Sequence, residues 1–431
     1  MRDTPILIVG AGPAGLHAAL ALAEAGQRVV VAEQASGIGG AVYATMRASK
    51  AAAGTKPAEV VALEARLAAM RDRIDLRCCT AFIGLDYTGT ALLTGAGGAV
   101  LTPSAVVFAT GARELVRPRP GWTHPLVNTA GALQVALKTN GEVQGNRIAL
   151  AGSGPLLYAI GAQLVRAGHP PVAILDEAQP FRHPISTLRL PLRVLREAVG
   201  FLARLKLARV PILTGIAVRR IEENGAALRL HTTRNGRFKT LEVDRLALHD
   251  GLARNDYGIP KDAPIPVASA GDCRNVLGRW AAEIDGRRAA REILHAFGLA
   301  QPRSPERALR QYRAAQERLA EMFAGAGQAE LRALPKDTVI CRCENRTLAD
   351  LRAASGDVAT PRSLRLNGRF GMGPCQGRFC LDWVEKLSGA PFAMLATRGN
   401  RWPLRPVSVA DILDASAADL NQVPIEEVNP T

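Results

Sequence analysis

No uninterrupted apolar run in this 431-residue chain is long enough to span a bilayer. Aromatic residues make up only 4%, and no Lys/Arg run is interleaved with them, which speaks against a nucleic-acid partner. Acids are short: 39 Asp and Glu face 54 Lys and Arg, giving a formal charge of +15. That excess implies either a generally basic surface or docking onto an acidic partner subunit or an anionic membrane surface. The seven histidines are scattered, and His17, His169 and His295 read as ordinary helix or loop residues. No Ser-His-Asp or Cys-His set, no H-E-x-x-H and no carboxylate pair in an acid–base setting occurs, so hydrolytic chemistry has no candidate residues. Met1-Arg2-Asp3-Thr4 leads straight into a strand pattern and leaves no room for an export signal, so the expected location is the cytoplasm, with peripheral contact at the inner membrane as the alternative. The length exceeds one core and predicts two to four domains.

What is present concentrates first near the carboxyl end. Four of seven cysteines form the pattern C-x-C, a gap of 31 residues, then C-x4-C: Cys341 and Cys343, then Cys375 and Cys380. Two sulfide-bridged irons need four thiolates, two per iron, and two short paired loops can supply them. The glycines around Cys375 let the backbone bend and aim N–H groups at sulfur. Arg342, Arg346, Arg369 and Arg378 add positive charge that favours a reduced cluster. A [2Fe–2S] cluster is the preferred reading, with structural zinc or uncoordinated thiols as alternatives; zinc more often uses C-x2-C knuckles. Disulfides do not suit a chain without an export signal. Cys78 and Cys79, in a strand-like run from Leu76 to Phe82, read as core or half-buried residues.

At the amino end, Ile6 to Val9 is the apolar run a buried parallel strand needs, followed by Gly10-Ala11-Gly12-Pro13-Ala14-Gly15 and a helical stretch to Ala25. Arg28 to Ala32 gives a second strand closing at Glu33, with Gln34 beside it. This is G-x-G-x-x-G in its strand-to-helix setting, with an acid eighteen residues past the last glycine. Gly10 permits the turn, Gly12 the approach of a pyrophosphate to the helix amino terminus, and Gly15 close helix–strand packing; Glu33 accepts from a ribose.

A second strand–turn–helix unit follows: Arg147 to Ala151, then Gly152-Ser153-Gly154-Pro155-Leu156-Leu157, a helix to Ala167, and a strand from Val172 closing at Asp176-Glu177. Leu157 stands where a third glycine belongs, leaving NAD(P), an adenine nucleotide or an empty fold as readings for this second site. Arg182 to Leu207 has the periodicity of an amphipathic helix, either packed on its own domain or at an interface.

Two further marks carry a resemblance. Val106 to Ala112 reads as a strand ending in A-T-G, and Ala268 to Asp272 as one ending in G-D. Both resemble two-dinucleotide-domain flavoproteins, which implies FAD at the first site, with Thr110 and Gly111 closing its first segment and Asp272 on the ribityl chain. By the same resemblance Gly39-Gly40 forms a second glycine pair, Phe82 sits at the adenine, and Trp280 or Ala281 opens a helix facing the flavin pyrimidine. "CRCEN" and "GMGPCQGRFC" resemble the bacterioferritin-associated-ferredoxin-like cluster domain. With "ATGARE…PGWTHPLVNTAGALQ" and "RIALAGSGPLL", the chain resembles the FAD-containing subunits of octopine and nopaline oxidases, hydrogen cyanide synthase and D-hydroxyproline dehydrogenases.

The resemblance implies an α/β chain of two nested Rossmann-like domains plus a small cluster domain. The expected boundaries are 1–120 with 245–300 for FAD, 121–244 for the second nucleotide fold, 301–335 for a helical connector, 336–390 for the cluster, and 391–431 for an extended tail along a neighbour. It also implies a substrate-oxidising flavoprotein partner, a small ferredoxin-like subunit in some complexes, and an FMN at a subunit contact. The chain would relay electrons from oxidation of a D-amino acid, imino acid or opine to a quinone or dye. The alternatives are a stand-alone NAD(P)H-dependent reductase and a non-catalytic assembly subunit, the latter prompted by a shortened passage between His249 and Ala268. No C-x4-C dithiol follows Gly40, which excludes disulfide-reductase chemistry.

Overall fold

The computed structural model describes residues 4–43, 58–140, 143–260, 262–300, 306–324, 331, 333–355, 360–389 and 403–420. Ile6–Val9 is buried at every position, and its aliphatic side chains suit a strand covered on both faces. It pairs in parallel with Val29–Ala32 on one side and Ala105–Phe108 on the other. Ile74–Arg77 extends the sheet at one edge, and Val267–Ser269 at the other, also in parallel. The edge strand arrives from far along the chain, so everything between Phe108 and Val267 is built outside this sheet. Helices Pro13–Glu24 and Arg279–Ala296 cover one face and cross closely: a Cβ on Gly286 would lie 2.2 Å from the Ala14 carbonyl oxygen. A small antiparallel sheet (Thr80–Leu85, Ala91–Gly95, Ala99–Leu101) covers the other face, where Phe82 meets Phe108 edge-on at 5.3 Å.

The inserted domain repeats the design. Its parallel sheet runs Ile212–Thr214, Ala173–Asp176, Ile148–Gly152, Arg245–His249, Val127–Thr129. Helices Ala130–Asn140, Pro155–Arg166 and Leu192–Leu207 pack on one face, and a three-stranded antiparallel sheet on the other. The fold is therefore the expected pair of nested Rossmann-like domains. The return to the first domain comes later than residue 245, because Arg245–His249 is an interior strand of the second sheet. The shortened passage is intact: Leu252–Arg254 pairs antiparallel with Ala112–Glu114 and carries the chain back.

Beyond these, helix Glu306–Met322 is packed rather than a free spacer, with Leu309 and Tyr312 against Leu277 and Ala281, and Ala315 and Met322 against Leu190. Residues 301–305 and 325–330 of the connector lie outside the described residues. Leu348–Ser355, Pro361–Leu366 and Leu381–Ser388 surround a core of Ile340, Leu351, Leu364, Phe370 and Val384. The expected extended tail is corrected in its described part. Val409–Leu420 is a helix, and Val407, Ile412 and Ala415 pack on Ile83 and Leu92 of the chain's own first domain. Residues 390–402 and 421–431 lie outside the described residues. Cys78 and Cys79 occupy a turn between two strands rather than one continuous strand; Cys79 is exposed with φ +52°, and Cys78 is half-buried.

Candidate functional site

The Gly10–Gly15 turn divides its glycines by task. A Cβ on Gly15 would sit 1.9 Å from the Gly10 carbonyl oxygen, so Gly15 exists for packing. A Cβ on Gly12 would meet nothing within 4 Å, so Gly12 borders open space in front of the helix. Gly12 caps helix Pro13–Glu24 without a side-chain hydrogen bond, leaving first-turn N–H groups, Ala14 included, for an anion. Glu33 is buried; one carboxylate oxygen accepts from the Ala11 N–H and the other from Ala35, each at 2.8 Å. Each oxygen keeps a second lone pair for a ribose hydroxyl. The Gly39 N–H donates to the Ala11 carbonyl at 2.8 Å, and Gly40 approaches Gly12 so closely that a Cβ would lie 3.1 Å from its Cα.

Side chains that sequence reasoning missed hold that second glycine pair. Tyr43 donates to Glu283, and Lys138 donates to the carbonyls of Ala41 and Val42. Burial pulls the Lys138 ammonium down to about 8 and pushes the Tyr43 phenol up. No spacing rule pointed to these contacts, since their partners are distant in sequence. Phe82 packs its ring in the core, while the peptides that bond the Glu33–Ala35 segment belong to Cys79 and Thr80. Gln34 accepts from Arg405 of the tail at 2.8 Å.

Thr110 and Gly111 are clipped by Asn255: the Thr110 hydroxyl donates to the Asn255 carbonyl, and the Asn255 amide returns a bond to the Thr110 carbonyl at 3.1 Å. A Cβ on Gly111 would also meet nothing within 4 Å. Asp272 accepts from Leu277 and Gly278 N–H at 2.9 and 3.1 Å; burial raises its carboxyl above the usual range and those donors oppose the shift. Gly278 then caps helix Arg279–Ala296, again with no side-chain bond. Its first turn carries Trp280, whose buried Nε1 has no hydrogen-bond partner among the described residues, and Ala281. Two uncapped helix termini, two glycines facing open space, a buried ribose-type acid and an orphaned indole N–H suit an extended dinucleotide such as FAD.

The second fingerprint is filled from within. The His249 ring lies against Gly154, where a Cβ would come 3.1 Å from Nε2, and a Cβ on Gly152 would be 1.8 Å from the His249 carbonyl oxygen. His249 is fixed by Glu114 at 2.8 Å. The Ser153 hydroxyl donates to the Phe323 carbonyl at 2.8 Å, and the Phe323 ring meets Tyr158 at 6.0 Å. The acids at the strand end are engaged too: Asp176 accepts from the Tyr158 hydroxyl and the Ala178 N–H, and Glu177 binds Arg117. Leu157 is fully buried in this domain's core.

The four late cysteines come together as two contacting pairs. Cys341 is drawn down to about 6 by the Cys380 thiol, against burial and with help from N–H groups of Glu344, Gly371 and Cys343. Cys343 is pushed up to about 11, first by burial, with the Cys375 thiol adding and the Cys375 N–H opposing. Cys380 is raised by Cys341, burial and the charge of Cys375. Gly373 approaches Cys343 so closely that a Cβ would lie 2.4 Å from its Cβ. Gln376 and Gly377, both at positive φ, curl the loop between Cys375 and Cys380. Among the described residues no three His, Cys, Asp or Glu side chains converge as a single-ion shell. Paired thiols with N–H donors on sulfur match the donor set of a two-iron cluster, two thiolates per iron. Of the nearby arginines, Arg369 is paired with Glu344 and Arg346 with Asp350, while Arg378 bonds the Cys375 carbonyl at 3.2 Å.

A short junction joins the two regions. Arg113, two residues past Gly111, donates to the Arg378 carbonyl at 2.8 Å and binds Asp382. Tyr257, two residues past Asn255, has its ring 5.7 Å from the Arg113 guanidinium and 4.7 Å from that of Arg378, with its hydroxyl 3.5 Å from the Gly377 carbonyl. Trp122 Nε1 donates to Val339 at 2.7 Å, anchoring the strand that leads to Cys341. No helix is long and apolar enough to cross a membrane among the described residues.

Residues 4–274 match the family model described as pyridine nucleotide-disulphide oxidoreductase. The chain is 29% identical over 460 residues to the A-type subunit of opine oxidase from Rhizobium meliloti, covering 94% of this chain and 86% of that protein. It is 32% identical over 433 residues to hydrogen cyanide synthase subunit HcnB of Pseudomonas aeruginosa, covering 88% and 91%. Among solved structures, L-proline dehydrogenase from P. horikoshii superposes with a TM-score of 0.65 at 17% identity, covering 95% of this chain and 79% of that one, a likeness of fold.

Proposed function

Since the chain belongs to the pyridine nucleotide-disulphide oxidoreductase family, and within it to the FAD-dependent subunits related to HcnB and to the A-type subunit of opine oxidase, we propose that it is the electron-relaying subunit of a hetero-oligomeric dehydrogenase. Its substrate class is a D-amino acid, imino acid or opine, oxidised by a separate flavoprotein subunit, with electrons leaving through a [2Fe–2S] cluster toward a quinone or dye. When bound, FAD accepts two electrons and releases them singly, while the cluster takes one at a time.

The chain's own residues supply the holding and the spacing. Gly12 and the N–H groups at the start of Pro13–Glu24 would receive the pyrophosphate, Glu33 the ribose, Asp272 the ribityl chain, and the first turn of Arg279–Ala296 the pyrimidine edge. Cys341, Cys343, Cys375 and Cys380 would hold the irons. The observation that carries the reading is the junction: Arg113 and Tyr257, each two residues from the clipped Thr110–Gly111–Asn255 turn, both contact the loop between Cys375 and Cys380. A relay needs its two centres on adjoining rigid elements, and this contact supports that.

The NAD(P)H-dependent alternative is disfavoured by His249 and the Phe323 carbonyl, which occupy the mouth of the second fold. The test is reduction of the purified chain followed by visible absorbance and by EPR after dithionite. Flavin and cluster bands should appear together, NADH alone should leave them unchanged, and an amino or imino substrate should bleach them only with the partner subunit present. Bleaching by NADH alone, or a chain with neither iron nor flavin, would refute the proposal.

A further inference from the structure

Helix Leu192–Leu207 buries one side only. Leu205 sits in the second domain's core with Phe201 and Leu202 beside it, and Val194 and Leu195 meet Leu319 and Phe323. On the opposite side Leu192 is 61% exposed, Val199 63% and Leu207 86%, and Leu188 on the preceding short helix is 79% exposed. The spacing of Leu192, Val199, Ala203 and Leu207 places them on one stripe of the helix. An aliphatic stripe of this size on a surface marks an interaction site rather than chance exposure.

Cations border it. Arg189, Arg193, Arg196 and Lys206 are exposed around the stripe. The helix has a single acid, Glu197, which already lies 3.6 Å from Arg279. One edge of the face reaches the flavin-side helix: Arg193 lies 5.1 Å and Arg279 4.0 Å from the Trp280 ring. A second copy of this chain would bring the same cations to the contact, on a body already carrying +15. Arginine around an apolar centre, with aromatics absent from the stripe, fits a protein interface better than a lipid one.

We infer that this face is the docking site for the substrate-oxidising partner subunit, which meets it with an acidic surface around an apolar centre. The inference rests on the subunit reading above and adds where contact is made: beside Trp280, at the edge of the flavin region.

The test uses the full tagged chain expressed in its own host. A photo-crosslinking residue is placed at Val199 and, as control, at Tyr87, which is 92% exposed on another part of the first domain. Crosslinks at Val199 to an acidic flavoprotein identified by mass spectrometry, absent at Tyr87, are expected. The double variant Arg196→Glu, Val199→Glu should weaken that complex about tenfold or more, with flavin content and melting temperature of the isolated chain unchanged. Affinity within about twofold of the unsubstituted chain, while the complex still forms, would overturn the docking site and leave the subunit reading standing. So would Val199 crosslinks to a second copy, or binding to phosphatidylglycerol vesicles lost in the double variant without any effect on the complex. No flavoprotein partner for the unsubstituted chain would overturn both.

Discussion

The guanidinium of Arg113 donates at 2.8 Å to the carbonyl oxygen of Arg378, joining the strand after the Thr110–Gly111 turn to the loop between Cys375 and Cys380. Its second bond, to Asp382, is largely shielded from water. Arg113→Met keeps the apolar stem over Tyr257 but leaves Asp382 without this partner. The loss should be about 2–3 kcal/mol, between a lost hydrogen bond and a broken buried pair. The carboxyl-terminal domain should then be released faster under limited proteolysis, and electron passage to the cysteine region should slow. Proteolysis at the unsubstituted rate would mean the junction is incidental.

Two glycines three positions apart should respond oppositely to alanine. Gly15→Ala drives a methyl against the Gly10 carbonyl at 1.9 Å, where both groups are backbone-fixed, so the protein should be insoluble. Gly12 has φ −75°, ordinary for alanine, and its Cβ would meet no protein atom within 4 Å. Gly12→Ala should melt within about 2 °C of the parent. Its flavin-to-protein ratio should nevertheless fall, by about tenfold if the methyl takes the pyrophosphate's place. A folded Gly12→Ala protein with full flavin content would remove this turn from the candidate site.

The same contrast shows what was legible in the sequence. Local rules sufficed where a task is local: Ile6–Val9 and Ala105–Phe108 read as apolar runs and form central strands, and the fingerprint glycines mark a strand-to-helix turn in both domains. What closes the second fold was not readable, because His249 and Phe323 reach Gly154 and Ser153 only through tertiary packing. Cys78–Cys79 looked like strand, yet Cys79 takes positive φ because its N–H bonds Ala35 while its carbonyl accepts from Ala96. The tail's Pro- and Arg-rich composition masked the apolar set Val407, Ile412 and Ala415, which found a partner on the chain's own surface. The passage between His249 and Ala268 looked like a loss. Its strand Leu252–Arg254, with Asn255 and Tyr257, instead ties the first domain to the cysteine loop.

Asp176 gives the pH dependence. Burial raises its carboxyl to about 6, with the Tyr158 hydroxyl and Ala178 N–H opposing the shift. Ionising it therefore costs more in the fold than in the unfolded chain. The penalty is complete above about pH 6, shrinks as pH falls through the interval down to the ordinary carboxylate range, and vanishes below it. Asp176→Asn keeps an acceptor for Ala178 and a donor for the tyrosine oxygen while removing the charge. It should stabilise the protein by roughly 2–3 kcal/mol at pH 8 and by little at pH 4. Urea unfolding of parent and variant at both values measures this; equal gains at the two would place the proton elsewhere.

The cysteines separate into those that should hold metal and those that should not. Cys341 and Cys380 are buried, Cys375 is half-buried and Cys343 is exposed, so the group opens to solvent on one side. A chelator should strip the metal through that side without unfolding the chain. Serine at any one of the four should lower iron from about two per chain and abolish the dithionite EPR signal. Cys380→Ser should also cost stability, since it places a hydroxyl in the core of Phe370, Leu381 and Val384. Cys78→Ser and Cys79→Ser lie in the turn beside Glu33 and should leave iron content and EPR unchanged. Unaltered iron in Cys343→Ser, or zinc at one per chain in the parent, would show that these thiols do another task.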